Sequence, residues 1–252
     1  MMIKDKNVLT IKKMATIGIL GGISIVLGMT PLGFIPVGPT RATIMHIPVI
    51  IGAIVEGPLV GAFVGLIFGL FSMFQAATNP TPVSFVFLNP VVSILPRVLI
   101  GVVTYYVYEF LNKIGFNKSN WTLNIILGGI VTYLAIGTYK AFNETQSIWS
   151  LAINMILIAC TILIGFYSQR KFKGKAMHVA VATVAGTLTN TIGVLSSIYF
   201  LYGEKFVTKL GQNPEMARKI IFGIGVTNGI PEMIVGIVVV VNVIAAIKNR
   251  VD

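Results

Sequence analysis

The apolar residues of this chain come in long runs that hold almost no charge, and this limits the possible folds more than any other feature. A helix needs about 20 such residues, at 1.5 Å each, to cross a hydrocarbon core of about 30 Å. Several runs reach that length. Only 11% of the residues are charged and mean hydropathy is +0.88, where a soluble domain carries about a quarter charged residues. A soluble globular fold is excluded. The chain reads as an all-α polytopic membrane protein.

Eight spans are expected, at about 10–30, 43–56, 58–76, 89–112, 121–141, 147–168, 176–202 and 219–247. The second is too short for a full crossing. A Pro/Gly-rich loop at 31–43 and a second loop at 77–88 separate the early spans. With the N-terminus in the cytoplasm, the basic residues divide in favour of the inside, led by the cluster at 170–175. Both termini are then cytoplasmic. The charged N-terminus resembles a signal n-region, but no small-x-small cleavage site follows it, so residues 10–30 are expected to remain as the first helix.

Composition also removes several function classes. Asp5 and Asp252 are the only aspartates, His46 and His178 the only histidines and Cys160 the only cysteine. No cluster of metal ligands exists in the sequence, so no metal is expected. The nearest piece to a phosphate-binding loop, Gly33 to Thr40, has Pro39 where its lysine belongs. No nucleotide hydrolysis, no cofactor and no enzyme activity are expected. The net charge of +11 is assigned to cytoplasmic loops rather than to nucleic-acid binding. His46, with no second histidine beside it, is read as a helix-end hydrogen-bonding group.

Close helix approach in lipid relies on small residues. Gly57, Gly61, Gly65 and Gly69, spaced by four, form a smooth ridge expected to pack on a neighbouring helix. Ala15, Gly18 and Gly22 form a second small face. It either packs internally or offers a docking surface for a partner membrane subunit.

Polar groups at membrane depth are costly and usually mark an interior site. Asn89, Ser93 and Arg97 share one helix face, and Pro96 beside them frees a backbone carbonyl. Thr183, Thr187 and Asn190 share another face. Asn228 and Glu232 share a third, with Gly229 and Pro231 between them. These stripes are expected to converge on one outward-facing polar cavity sized for a small solute. The bland alternative is that Arg97 and Glu232 form an interhelical ion pair that only fixes the fold.

Several stretches then resemble one family. They are Thr30 to Pro39, Ala42 to Ala53, the Gly57 to Gly69 ridge, Asn89 with Pro96 and Arg97, Gly186 to Thr191, and Asn228 to Glu232. Together they resemble the substrate-binding S component of energy-coupling factor (ECF) transporters, over about 10–112 and 176–248, closest to the pantothenate-type branch. The resemblance implies a six-helix core with two additional inserted helices in a single membrane domain. Residues 1–117 would carry the first four core helices, 118–170 the inserted pair and 171–252 the last two.

It also implies a prokaryotic plasma-membrane subunit that binds a small water-soluble nutrient at the outer face. That subunit would dock through Ala15, Gly18 and Gly22 on a transmembrane T component driven by two cytoplasmic ATPases, then topple to release the solute inside. Loop 31–43 would gate the cavity. The expected binding residues are Arg41, Asn79, Asn89, Ser93, Arg97, Thr187, Asn190, Asn228 and Glu232. Pantothenate or a related vitamin is the first expectation for the solute, and a neutral sugar- or nucleoside-like nutrient the second. An ion-coupled transporter titrating Glu232 is the alternative in another class.

Overall fold

The computed structural model of the chain describes residues 9–37, 40–114, 116–143, 155, 158–159, 161–162 and 175–248. Helix α1 (Ile11–Met29) starts where the Thr10 side chain accepts the Lys13 N–H at 3.4 Å. A 3-10 turn at Pro31–Gly33 leads into strands β1 (Phe34–Val37) and β2 (Thr40–Thr43), an antiparallel hairpin pairing Phe34 with Thr43. Helices α2 (Ile47–Glu56) and α3 (Pro58–Thr78) follow, then a 3-10 turn at Ser84–Leu88. The short α4 (Pro90–Ser93) runs into α5 (Leu95–Ile114). Helix α6 (Phe116–Asn143) comes next, and α7 (Lys175–Lys209) and α8 (Ala217–Lys248) close the described chain.

Among the described residues, five stretches are long and apolar enough to cross a membrane: Ile11–Met29, Pro58–Thr78, Pro90–Lys113, Ala176–Lys209 and Pro214–Ile247. They match five of the expected spans, and the chain is a multi-pass helical membrane protein. The expected span 43–56 is a helix of 10 residues, about 15 Å long at 1.5 Å per residue. The apolar part of the expected span 121–141 is Leu127–Tyr139 within α6. The expected span 147–168 lies outside the described residues except for a few isolated positions. Among the described residues the fold departs from an all-α reading at the hairpin, where Pro-rich sequence denies the connection a helix.

Every residue from Ile47 to Ile54 is buried, because α1, α3, α5 and α8 all pack on α2. The start of α1 is tied to the end of α2 by an ion pair, Lys12 Nζ to Glu56 Oε1 at 2.8 Å. The hairpin, residues 79–84 and the Phe206–Leu210 stretch line one cavity, away from the end of the bundle where Lys12 pairs with Glu56. Helix α6 buries Leu127, Ile130 and Leu134 against the core while Ile125, Tyr133, Ile136 and Tyr139 stay exposed. It packs on α5 and α7 at the periphery.

The glycine ridge of α3 does bring two backbones together. A Cβ at Gly61 would stand 2.6 Å from Ala53 Cβ and 2.8 Å from Gly101 Cα. One at Gly65 would run into the Arg97 carbonyl, and one at Gly69 would stand 2.7 Å from the Ser93 carbonyl. The partner surface on α4 and α5 is thus Ser93, Arg97 and Gly101, also spaced by four. Gly57 is not part of this contact. It sits at φ 105° in the turn from α2 to α3, with nothing within 4 Å of a notional Cβ, a backbone that disfavours other residues.

Helix α1 packs through a face that its sequence pattern does not single out. Gly21 and Gly28 are the close contacts, against Ile67 and against Phe71 and Met45, and Ser24 Oγ donates to the Met45 carbonyl at 3.3 Å. Ala15 and Gly18 are exposed, Gly22 is half-buried, and a Cβ at Gly18 or Gly22 would meet nothing within 4 Å. Of the two readings of that small face, internal packing is therefore not what the described residues adopt.

Gly65→Ala should destabilise the detergent-solubilised protein by about 3 kcal/mol, the upper end for overpacking, because the obstacle is backbone. Gly18→Ala, which meets no obstacle, should leave the unfolding temperature unchanged or raise it slightly, since alanine favours helix. Unfolding curves of both variants check the contrast.

Candidate functional site

A cavity of about 620 Å³ lies at the hairpin end of the bundle, within the usual 300–1,000 Å³ of small-molecule sites. Its walls come from the hairpin (Phe34, Thr43), the last turns of α3 (Phe68, Ser72, Gln75), the first turn of α5, the middle of α7 and the first half of α8. Helix α7 has 35 residues, about 52 Å at 1.5 Å each. It outruns the hydrocarbon core, so Phe206 and Leu210 rise beside the cavity.

Arg97 is 5% exposed and lines the cavity. Pro96 has no N–H for the carbonyl four residues before it, Val92. Arg97 Nη1 donates to that carbonyl instead. The guanidinium carbon is 5.3 Å from the centroid of the Phe68 ring and 5.7 Å from that of Phe87, within cation–π range. Arg97 Nε is buried and has no hydrogen-bond partner among the described residues. Asn190 Oδ1, on a side chain also 5% exposed and lining the cavity, is in the same condition. Two unsatisfied polar atoms on side chains that line one cavity stand out, because buried polar groups are nearly always paired.

Glu232, also buried, is held by neutral donors. The Thr43 N–H donates to Oε1 at 2.7 Å and the Thr191 hydroxyl to Oε2 at 3.1 Å. The carboxylate therefore links hairpin, α7 and α8. The interhelical ion pair weighed as the bland alternative is not formed: among the described residues no Arg97–Glu232 contact reaches salt-bridge length, and the two interact only as nearby charges.

Of the residues expected from the sequence, Asn79, Arg97, Asn190, Asn228 and Glu232 line this cavity together. Asn79 sits at its exposed rim, and Asn228 is half-buried. Three others point elsewhere. Asn89 caps α4 by accepting the Val91 N–H at 2.9 Å and donates to the Tyr202 hydroxyl at 3.0 Å. Ser93 Oγ donates to the Phe87 carbonyl. Thr187 Oγ1 pairs with His46 Nε2 at 3.1 Å.

The reason is local. Asn89 is the N-cap of α4 and Ser93 lies against the turn before it, so both side chains serve backbone where α4 begins. His46 occupies the N-cap position of α2 but makes no capping bond. Arg41 lies in β2 opposite Pro36, and its side chain is outside the described residues. Thr43, Gln75 and Thr191 were missed. Thr191 was detectable as the next residue after Thr187 at helical spacing, whereas Thr43 contributes through its backbone, which no side-chain pattern reveals. No group of three or more metal-ligating side chains occurs among the described residues.

A multi-pass helical bundle around a mostly apolar cavity that carries a few polar side chains defines a class of membrane protein, and comparison identifies the family. The sequence model of the "ECF transporter, substrate-specific component" family matches residues 12–142 and 141–244. The chain belongs to that family, a family of transporter components. Over 89 residues it is 38% identical to the pantothenic acid transporter PanT of Lactococcus lactis subsp. cremoris, covering 30% of this chain and 45% of that protein. Over 78 residues it is 40% identical to the pantothenate transporter PanT of Leuconostoc mesenteroides subsp. mesenteroides, covering 31% of this chain and 38% of that protein. The match spans less than half the length of either relative.

Asn89→Ala should cost about 1 kcal/mol of stability through the lost cap and leave solute affinity unchanged. Thermal unfolding and calorimetry on the same preparation check both.

Proposed function

We propose that this chain is the solute-binding subunit of an ECF-type importer and that its solute is pantothenate or a closely related carboxylate-bearing vitamin. The observation that carries the reading is Arg97: a buried cation in the wall of a cavity, with Nε unpaired and no carboxylate at salt-bridge length among the described residues. Burying a charge without a partner is costly. A planar guanidinium fork suits a carboxylate, which would supply that partner. Glu232 keeps acceptor capacity beyond its two bonds, which suits the hydroxyls of pantothenate, and Asn190 Oδ1 suits a hydroxyl or amide N–H. The names of the two relatives support the same solute.

The wider assembly follows the family. Eight spans would comprise a six-helix core, 1–117 and 171–252, with the pair at 118–170 inserted. The peripheral position of α6 supports this. Both termini would be cytoplasmic and the cavity extracellular, as the basic residues favour. The subunit would dock on a T component driven by two ATPases. The outward, unobstructed face of Ala15, Gly18 and Gly22 supports that face as the contact. Loop 31–43 would gate the cavity, and the Thr43–Glu232 bond supports a closed hairpin.

Calorimetry on the purified chain should show pantothenate binding without ATP or an ion gradient. Arg97→Ala should weaken it by about two orders of magnitude, the effect of removing one partner of a buried charge pair. Glu232→Gln should matter less. The reverse order, or binding only of a neutral sugar- or nucleoside-like ligand, overturns the carboxylate assignment. In cells carrying the transport module, Gly18→Leu should abolish uptake while leaving affinity intact. Uptake that survives loss of the ATPases overturns the ECF mechanism in favour of ion coupling.

A further inference from the structure

We infer that Pro96 is a positioning residue for Arg97: by withholding an N–H from the Val92 carbonyl, it leaves that oxygen to the guanidinium and so aims the cation into the cavity. This rests on the reading of Arg97 as the partner of the solute carboxylate.

In an unbroken helix the Val92 carbonyl accepts from residue 96. Proline has no proton to give, and its ring crowds that carbonyl. Val92 is fully buried, so an orphaned oxygen there is expensive to leave unpaired. Arg97 Nη1 is the donor that reaches it. A guanidinium is a rigid plane, so fixing one Nη fixes the direction of the remaining donors. Phe68 and Phe87 lie against the group and limit its swing. Among the described residues Nη1 is the one guanidinium nitrogen that makes a hydrogen bond, and Nε is buried without a partner. Pro96 is not among the cavity-lining residues. Its ring meets α7 at Gly193, where a Cβ would stand 3.0 Å from Pro96 Cβ. Its influence on the solute therefore passes through Arg97.

A purely structural proline and a positioning proline predict different signs. Pro96→Ala supplies the missing N–H and removes a residue that disfavours helix. The ligand-free protein should melt at the same temperature or higher. Affinity for pantothenate should fall roughly tenfold or more, the scale of one hydrogen bond to a charged group. Affinity for the alcohol in which the carboxylate is reduced should not fall. The double variant Pro96→Ala/Arg97→Ala should bind no more weakly than Arg97→Ala alone, because both changes act on one contact.

The inference is overturned if Pro96→Ala keeps full affinity, weakens both ligands alike, adds to Arg97→Ala, or lowers thermal stability or prevents folding. If the unsubstituted protein binds the alcohol as tightly as pantothenate, the carboxylate reading itself fails. Pro96 is then judged without any ligand, from the side-chain spectrum of ¹⁵N-arginine-labelled protein. Slow rotation of the Arg97 Nη groups that quickens in Pro96→Ala supports the positioning role; identical rotation in both overturns it.

Discussion

Charge at membrane depth has to be solvated by the protein, because lipid cannot do it. The chain solves this twice, separately. Glu232 takes a backbone N–H from the hairpin and a hydroxyl from α7. Arg97 takes a carbonyl from its own preceding turn and lies within cation–π distance of two aromatic rings. A direct pair between the two would satisfy both charges and draw the walls together. Each is held by neutral dipoles instead, Arg97 incompletely, and both border one cavity. The same arrangement makes the carboxylate structural, since its two oxygens join three segments that are far apart in sequence.

The position of Arg97 depends in turn on a contact with no polar content. Gly65 lets the backbone of α3 touch the carbonyl of Arg97, and Gly61 meets Gly101 one turn further along. A methyl group at Gly65 would displace the very residue that carries the cation. Packing of two helices and placement of one charged group are therefore a single constraint.

What the sequence made legible is what depends on periodicity within one helix. The ridge of α3 was readable because glycine weakens a helix, and repeating it every four residues in lipid serves close backbone approach. Arg97, Glu232, Asn190 and Asn228 were readable because polar groups inside apolar runs are rare. The failures came where local bonding takes a side chain away from the cavity. Asn89 and Ser93 share helical spacing with Arg97, but each satisfies local backbone instead. Thr187 lies on the expected face but one turn too deep, where it meets His46. The Thr43 amide cannot be seen in any side-chain pattern, and the hairpin that presents it is a tertiary product of a Pro-rich connection. On α1 the small residues at 15, 18 and 22 are the more regular set, while Gly21, Ser24 and Gly28 make the internal contact.

Helix α2 covers about 15 Å, roughly half the depth of a bilayer's interior, and its start adjoins Thr43 and Met45, both walls of the void. The room inside this molecule thus begins beyond the point where this short helix starts. Space obtained by shortening a segment, instead of by trimming side chains, leaves the lining residues free to be bulky or polar. Selectivity can then drift by substitution along the walls without the vestibule itself being lost.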